Sequence, residues 1–296
     1  MAFIDYEVDD RVAVITLDRP EKANAQHRPL LVELHEAWMA AAHDDAVRVI
    51  VLQANGRHFS AGHDLSGAGR PREAEDAPPE VRAAMEAVRR RGVVYNQYVA
   101  EAEYFFGYSM AWRNVPKPSI AAVQGKCVAA GMMLCWPCDL IIAADDAEFS
   151  DPTARMGLAG VEYMAHAWEL GPRKAKELLF RSTPITAEEA RALGMVNKVV
   201  PLEDLRAEAM AWARDIATLE PMMTHIIKRG INQTLDIQGF QASLAHSFDL
   251  HELAHAMQGS QRQANPDAPP RESVLEHMRA TNRAITERAA AERGAR

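Results

Sequence analysis

Apolar positions along the chain follow two periods, and the switches between them mark out the elements. Ile4 to Val8 and Val12 to Leu17 are apolar or alternating runs split by Asp9-Asp10, which predicts a hairpin of two strands. Asp18-Arg19-Pro20 ends the second. From His27 to Ala42 the apolar residues Leu30, Leu31, Leu34 and Trp38 fall at helical spacing and predict an amphipathic helix. His43-Asp44-Asp45 breaks it, and Val47 to Gln53 reads as a buried strand. Strand, strand, helix, strand is the alternation of an α/β core. A further strand is expected at Ser119 to Val123, broken at Gln124-Gly125 and followed by Ala129-Ala130-Gly131. The apolar segment after it is poor in β-branched residues, which predicts the start of a buried helix. Small residues at such a turn let a ligand approach the backbone, whose free N–H groups favour an oxyanion. The same residues also serve plain packing. Leu140 to Ala144 predicts another strand, and helical pattern sets in at about Glu162. Beyond Pro201 the pattern is helical to Leu219 and again from Pro221 to Asp236.

Between residues 66 and 110 the pattern changes. Its first part is rich in Gly, Pro and charge and predicts a loop. Val81 to Trp112 is helical and aromatic, with Tyr95, Tyr98, Tyr104, Phe105 and Phe106 among its rings. Two roles fit it: a pair of helices at a subunit surface, or a lid that narrows a pocket. Gly259 to Glu272 reads as a linker, and Ser273 to Arg293 as a last helix with Val274, Leu275, Met278 and Ile285 on one stripe.

Composition narrows the classes. A chain of 296 residues with 48% hydrophobic content can bury a sizeable core, and no apolar run is long enough to span a bilayer. The start lacks a basic segment with an apolar stretch behind it, so a cytoplasmic protein without a secretory signal is expected. A net charge of −8 argues against nucleic acid as a general partner. Cys127, Cys135 and Cys138 fall in the predicted buried segment and read as reduced core thiols. No neighbouring Cys or His pair supports a metal at Cys135 and Cys138. His251 and His255 have the i, i+4 spacing of metal ligands, but the sequence shows no third ligand, so no metal is expected.

Five stretches, in order, resemble the crotonase (enoyl-CoA hydratase/isomerase) superfamily. They are RPEKANA (Arg19 to Ala25), FSAGHDL (Phe59 to Leu65), KPSIAAVQGKCVAAG (Lys117 to Gly131), AEFSDPTARMGL (Ala147 to Leu158) and ITAEEARALGMVNKVVP (Ile185 to Pro201). The resemblance implies an α/β fold, a crotonase-like spiral of ββα repeats over residues 1–204, with the 66–110 stretch as an insertion. It implies that residues 205–296 form a helical region that builds a trimer or a dimer of trimers. It also implies an acyl-CoA thioester as ligand, no separate cofactor, and a place in fatty acid metabolism. The thioester carbonyl oxygen would lie against the backbone N–H groups of His63 and Ala130, with Ala61, Asp64, Leu65 and Gly131 lining the CoA side. Lys22 and Lys228 would face the CoA phosphates. Polarising the thioester stabilises an enolate, and one such donor is worth roughly 2.7–4 kcal/mol in a transition state.

The family's acid–base positions are another matter. The two glutamates of a hydratase fall on Met133 and Thr153, and a third carboxylate used by some isomerases falls on Val161. Simple hydration by the usual mechanism is therefore not expected, although the label of an enoyl-CoA hydratase/isomerase fits the chain. Glu162, among Ala159, Gly160, Val161 and Met164, is the first candidate for proton transfer, and its apolar neighbours predict a raised pKa. It could instead serve only to offset a helix dipole. Asp151 before Pro152 is the second candidate, or else a turn opener. Asp64 is expected to cap a following helix. Three functions follow: a lyase, isomerase or hydrolase acting on acyl-CoA, a retro-Claisen hydrolase of a non-CoA diketone, or a catalytically silent acyl-CoA binder.

Overall fold

The computed structural model describes residues 1–66, 86, 90–265 and 271–294. Strands β1 (Ile4–Asp9) and β2 (Val12–Leu17) pair antiparallel, Ile4 opposite Leu17. Asp10 and Arg11 at their turn both have positive φ, 43° and 68°, the twist a two-residue hairpin needs. Helix α1 (Arg28–His43) buries Leu30, Leu31, Leu34 and Trp38, the stripe its spacing predicts, and returns the chain to β3 (Val49–Ala54). Next come α2 (Val93–Glu101), a π-helical turn (Ala102–Gly107) and α3 (Tyr108–Arg113), which lead to β4 (Ser119–Val123).

From β4 the chain alternates between two sheets. β5 (Lys126–Val128) starts a small sheet, and a tight turn at Ala129–Gly131 opens the single-turn α4 (Met132–Cys135). β6 (Leu140–Ala144) rejoins the large sheet, and β7 (Glu148–Ser150) pairs with β5 in the small one. Helix α5 (His166–Arg181), kinked at Gly171, is followed by β8 (Ile185–Thr186), α6 (Ala187–Ala192) and β9 (Lys198–Val200). The large sheet has the order β1-β2-β3-β4-β6-β9 and the small one β5-β7-β8. In the large sheet only β1 runs antiparallel to its neighbour. This is the expected mixed α/β spiral.

Both faces of the large sheet are buried. Ile15, Ile50 and Ala121 share a core with Trp38 of α1, Phe59 and Phe149. Val14, Val51, Ile120 and Ile142 face Leu205, Ala209 and Ala213 of α7 (Leu205–Ile216). Double burial is why these strands read as near-continuous apolar runs. It also makes α7 part of the sheet's core. Three helices follow: α8 (Pro221–Ile237), α9 (Phe240–Ala264) and α10 (Arg271–Gly294).

Four expectations need correction. Gln124-Gly125 leads first into strand β5, because the chain changes sheets there. The apolar segment after Gly131 makes one helical turn and no more, since Pro137 lies two residues beyond it and has no N–H to extend the ladder. Helix α5 begins at His166, not Glu162; Gly157 and Gly160 at φ 79° and 126° keep the preceding stretch out of helical geometry. The expected linker from Gly259 is helical up to Ala264 as the end of α9. Residues 67–85, which carry most of the expected loop, lie outside the described residues. Among those described, the three cysteines are free and buried, and no helix is long and apolar enough to cross a membrane.

Candidate active site

Three loops meet at the turn that carries His63. Gly62 has φ 82°, and a Cβ there would stand 2.7 Å from the Val128 oxygen and 3.3 Å from the Ala130 nitrogen. A Cβ on Gly131 would stand 2.7 Å from the Ser60 oxygen. Only glycine allows backbone this close to backbone. The loop before α1 ties the two together. Gln26 donates from Nε2 to the Ala130 carbonyl (2.8 Å) and to Ser60 Oγ (3.2 Å). Its own N–H donates to the Gly62 carbonyl (2.8 Å), and its carbonyl accepts from the Asp64 N–H (2.9 Å). Each such buried bond contributes about 0.5–1.5 kcal/mol, and a stranded partner costs about 1–3 kcal/mol. The predicted oxyanion pair, His63 and Ala130, thus belongs to two segments held in register by one buried amide.

The pocket beside this turn is closed down, too narrow here to hold a water molecule, and is lined by Gln26, His63, Tyr104, Phe105, Ser109 and Met133 among others. Phe105, in the π-helical turn, stacks on the His63 ring at 3.9 Å between centroids. The described part of the insertion therefore forms a wall of the pocket. It is anchored from behind, where Phe106 stacks on Phe248 of α9 and Tyr98 packs tilted against the same ring. Met133, at the first position where a glutamate was expected by resemblance, lines the pocket with a thioether. Thr153, at the second, is buried and donates from N and Oγ1 to Asp151 Oδ1 (2.9 and 2.5 Å).

Glu162 is 3% exposed, and both its carboxylate oxygens lie 3.2 Å from His63 Nε2. His251 Nε2, from α9, stands 3.6 Å from Glu162 Oε1. The expected raised pKa of Glu162 is overturned. Burial does push it up, but the His63 charge, the His63 hydrogen bond and His251 outweigh burial and hold the carboxyl at about 2. The flanking apolar residues in the sequence conceal two imidazoles that come from 99 and 89 residues away along the chain. Beyond His251 lie Glu101, at the end of α2, and Glu252. Burial pushes Glu252 up to about 8, helped by its hydrogen bond with Glu101.

Asp151, the second candidate, is fully buried and sits 2.9 Å from His166 Nε2. Among the residues lining the pocket at His63 it does not appear. Asp64 accepts from Ser66 N and Oγ, as a turn cap does, and from Arg19 Nη1 at 2.7 Å. Arg19 also donates to the Ala25 carbonyl, so the RPEKANA stretch braces the turn that carries His63. Ala61 is exposed and Leu65 half-buried beside it; Gly131 is buried at the close contact above. Lys22 is exposed. Lys228 is not available as expected: it is 8% exposed and paired with Asp139 at 2.9 Å. Sequence reasoning missed Gln26, Phe105, Glu101 and the pairing of Glu162 with His63. Residue spacing carries no signal for such long-range meetings; the polar His63 beside Gly62 is the one hint.

The sequence profile of the family described as enoyl-CoA hydratase/isomerase matches residues 7–265. A Mycobacterium tuberculosis protein that carries the name enoyl-CoA hydratase EchA13 is 45% identical over 260 residues, 87% of this chain and 82% of its own. The solved structure of a probable enoyl-CoA hydratase from Mycobacterium thermoresistibile is 51% identical, with a TM-score of 0.79 over 88% of this chain and 99% of that one. That of an enoyl-CoA hydratase/isomerase from Xanthobacter autotrophicus Py2 is 31% identical, with a TM-score of 0.74 over 99% and 97%. With the motifs in order, the two-sheet spiral in place and relatives matched along nearly their whole length, the chain belongs to the enoyl-CoA hydratase/isomerase family of the crotonase superfamily.

Proposed function

We propose that the protein acts on an acyl-CoA thioester through an enolate-type intermediate, with His63 and Glu162 as a proton-transfer pair in place of the two hydratase glutamates. The observation that carries this reading is the 3.2 Å contact between His63 Nε2 and a buried Glu162, on the same turn as one oxyanion donor. The N–H groups of His63 and Ala130 would bind the thioester oxygen, and charge developing there acidifies the α-carbon. A carboxylate at about pKa 2 is a poor base in its own right. It is well suited to orient an imidazole and to stabilise the imidazolium that forms when that ring takes a proton. His63 Nδ1 is buried without a hydrogen-bond partner among the described residues, which leaves it for the substrate's proton when Nε2–H donates to Glu162. The reaction class is isomerisation or a lyase step that begins with α-proton removal.

His63→Ala tests the assignment. The backbone donor survives this change, so thioester affinity should stay within a few-fold, measured by calorimetry, while turnover falls about 10²-fold or more. Unchanged turnover in a folded variant would exclude the imidazole. No affinity of the parent protein for any acyl-CoA would exclude the CoA reading and favour a diketone substrate.

We also propose that the helical region assembles the chain as a trimer or a dimer of trimers. Supporting this, α8 exposes Met222, Ile226, Ile227 and Ile231, each more than half accessible in the single chain. Contiguous apolar surface of that kind marks an interface. Sedimentation equilibrium should return a multiple of three chains; a monomer at micromolar concentration would refute it.

A further inference from the structure

The i, i+4 pair His251 and His255 was left without a third ligand by the sequence. The fold supplies one. Glu101, the last residue of α2, places Oε2 3.5 Å from His251 Nε2 and 3.6 Å from His255 Nε2. One ligand atom from each of the three lies within 4.8 Å of the others. We propose that Glu101, His251 and His255 bind a divalent first-row transition cation of the zinc type, at a site bordered by Glu162.

Distances favour this over a plain ion pair. A charge-assisted hydrogen bond between imidazolium and carboxylate runs about 2.7–2.9 Å. The gaps here are 0.6 Å or more longer. Ligand atoms about 2.0–2.1 Å from a tetrahedral ion stand roughly 3.3–3.4 Å apart, close to what is seen. His251 Nε2 and Glu101 Oε2 are buried with no hydrogen-bond partner among the described residues, and His251 is 2% exposed. These two atoms pair only loosely, at 3.5 Å, with Glu162 Oε1 a further 3.6 Å from His251 Nε2.

The ligands are also oriented as metal ligands are. His251 Nδ1 donates to the Gly160 carbonyl at 2.8 Å, which fixes the ring so that Nε2 faces Glu101, the atom a cation would take from the proton now held there. Glu252 hydrogen-bonds with Glu101 and would steady that carboxylate from behind. Residues 251–255 read His-Glu-Leu-Ala-His on helix α9, the His-Glu-x-x-His pattern in which two histidines one turn apart share a zinc ion. Two imidazoles and one carboxylate, with one position open, is a donor set of catalytic zinc sites. The π-helical turn begins at the residue after Glu101; such turns interrupt helices frequently at functional sites. Through Glu162, which reaches His251 on one side and His63 on the other, the cation would adjoin the pocket. The site itself does not depend on the acyl-CoA reading.

The test uses the full chain, stripped with a chelator and titrated with Zn²⁺ against a chromophoric competitor, and separately with Co²⁺ followed by visible absorption. One equivalent per chain is expected, with the absorption bands of four- or five-coordinate Co²⁺. His255→Ala and Glu101→Gln should each weaken binding at least tenfold, and His246→Ala, an exposed histidine on the same helix, should not change it. Circular dichroism checks that each variant is folded; His255→Gln stands in if His255→Ala is not. Less than a tenth of an equivalent bound by the parent protein, or binding that survives both ligand changes, overturns the proposal. Metal binding is read without any turnover, so its failure leaves the function above untouched, and the reverse.

Discussion

Replacing Glu162 by Gln is expected to lower kcat by about 10²–10⁴-fold on whichever acyl-CoA the protein turns over, with thioester affinity nearly unchanged. The amide keeps the size and the reach to His63 but cannot stabilise a cationic ring. It can also present N–H where His63 Nε2–H should donate, which sets the wrong tautomer. A carboxylate held at about 2 stays ionised throughout the working range, so any acid limb of the pH–rate profile belongs to another group. Stability carries a matching signature in metal-free protein. The folded pKa lies below the unfolded value of about 4.3. The stabilisation is therefore complete above that value and disappears as pH falls through about 2. Denaturant midpoints of the Glu162→Gln protein should lie below those of the parent at pH 7 and converge with them only in strong acid. Equal kcat in the two proteins would remove Glu162 from the reaction.

Hydration of crotonyl-CoA is expected to be slow, orders of magnitude below the roughly 10⁴–10⁸ M⁻¹s⁻¹ of typical enzymes. General acid–base help is worth about 10²–10⁴ per group, and on the proposed reading both usual positions, Met133 and Thr153, lack an acid. The structure sharpens the reason. Met133 occupies the pocket wall with no titrating atom, and Thr153 is spent on Asp151. The two positions are not equally open to repair. Met133→Glu would put a carboxyl into the pocket, whereas Thr153→Glu would set a second acid against the buried Asp151 and cost stability. Rapid loss of the enoyl absorbance with the parent protein would show that another pair of groups adds water.

The strands and long helices were legible because double burial and one-sided burial each leave a period in the sequence. Val49–Ala54 and Leu30–Leu34–Trp38 show the two cases. The close approach of the Gly62 and Gly131 turns was legible through their glycines and small residues, since close backbone contact tolerates little else. Strand β5 was not, because three residues carry no period and its identity comes from pairing with β7. Nor was the state of Glu162. Local neighbours predict desolvation, but charge acts through space, and His63 and His251 arrive from other elements. The proposed metal ligands escape the sequence for the same reason: α2 and α9 bring Glu101 and His251 together from 150 residues apart.

The bond from Gln26 to Ala130 spans 104 residues, that from His63 to Glu162 spans 99, and that from His251 to Gly160 spans 91. Chain closure over such distances is entropically costly and comes after local helices and the β1–β2 hairpin have formed. The pocket is accordingly among the last parts of the molecule to exist during refolding. A nascent or partly denatured chain can hold much of its helix content and still lack any place for a thioester. Ligand binding thus draws on the completed topology, and the binding free energy is returned to the whole fold rather than to one loop.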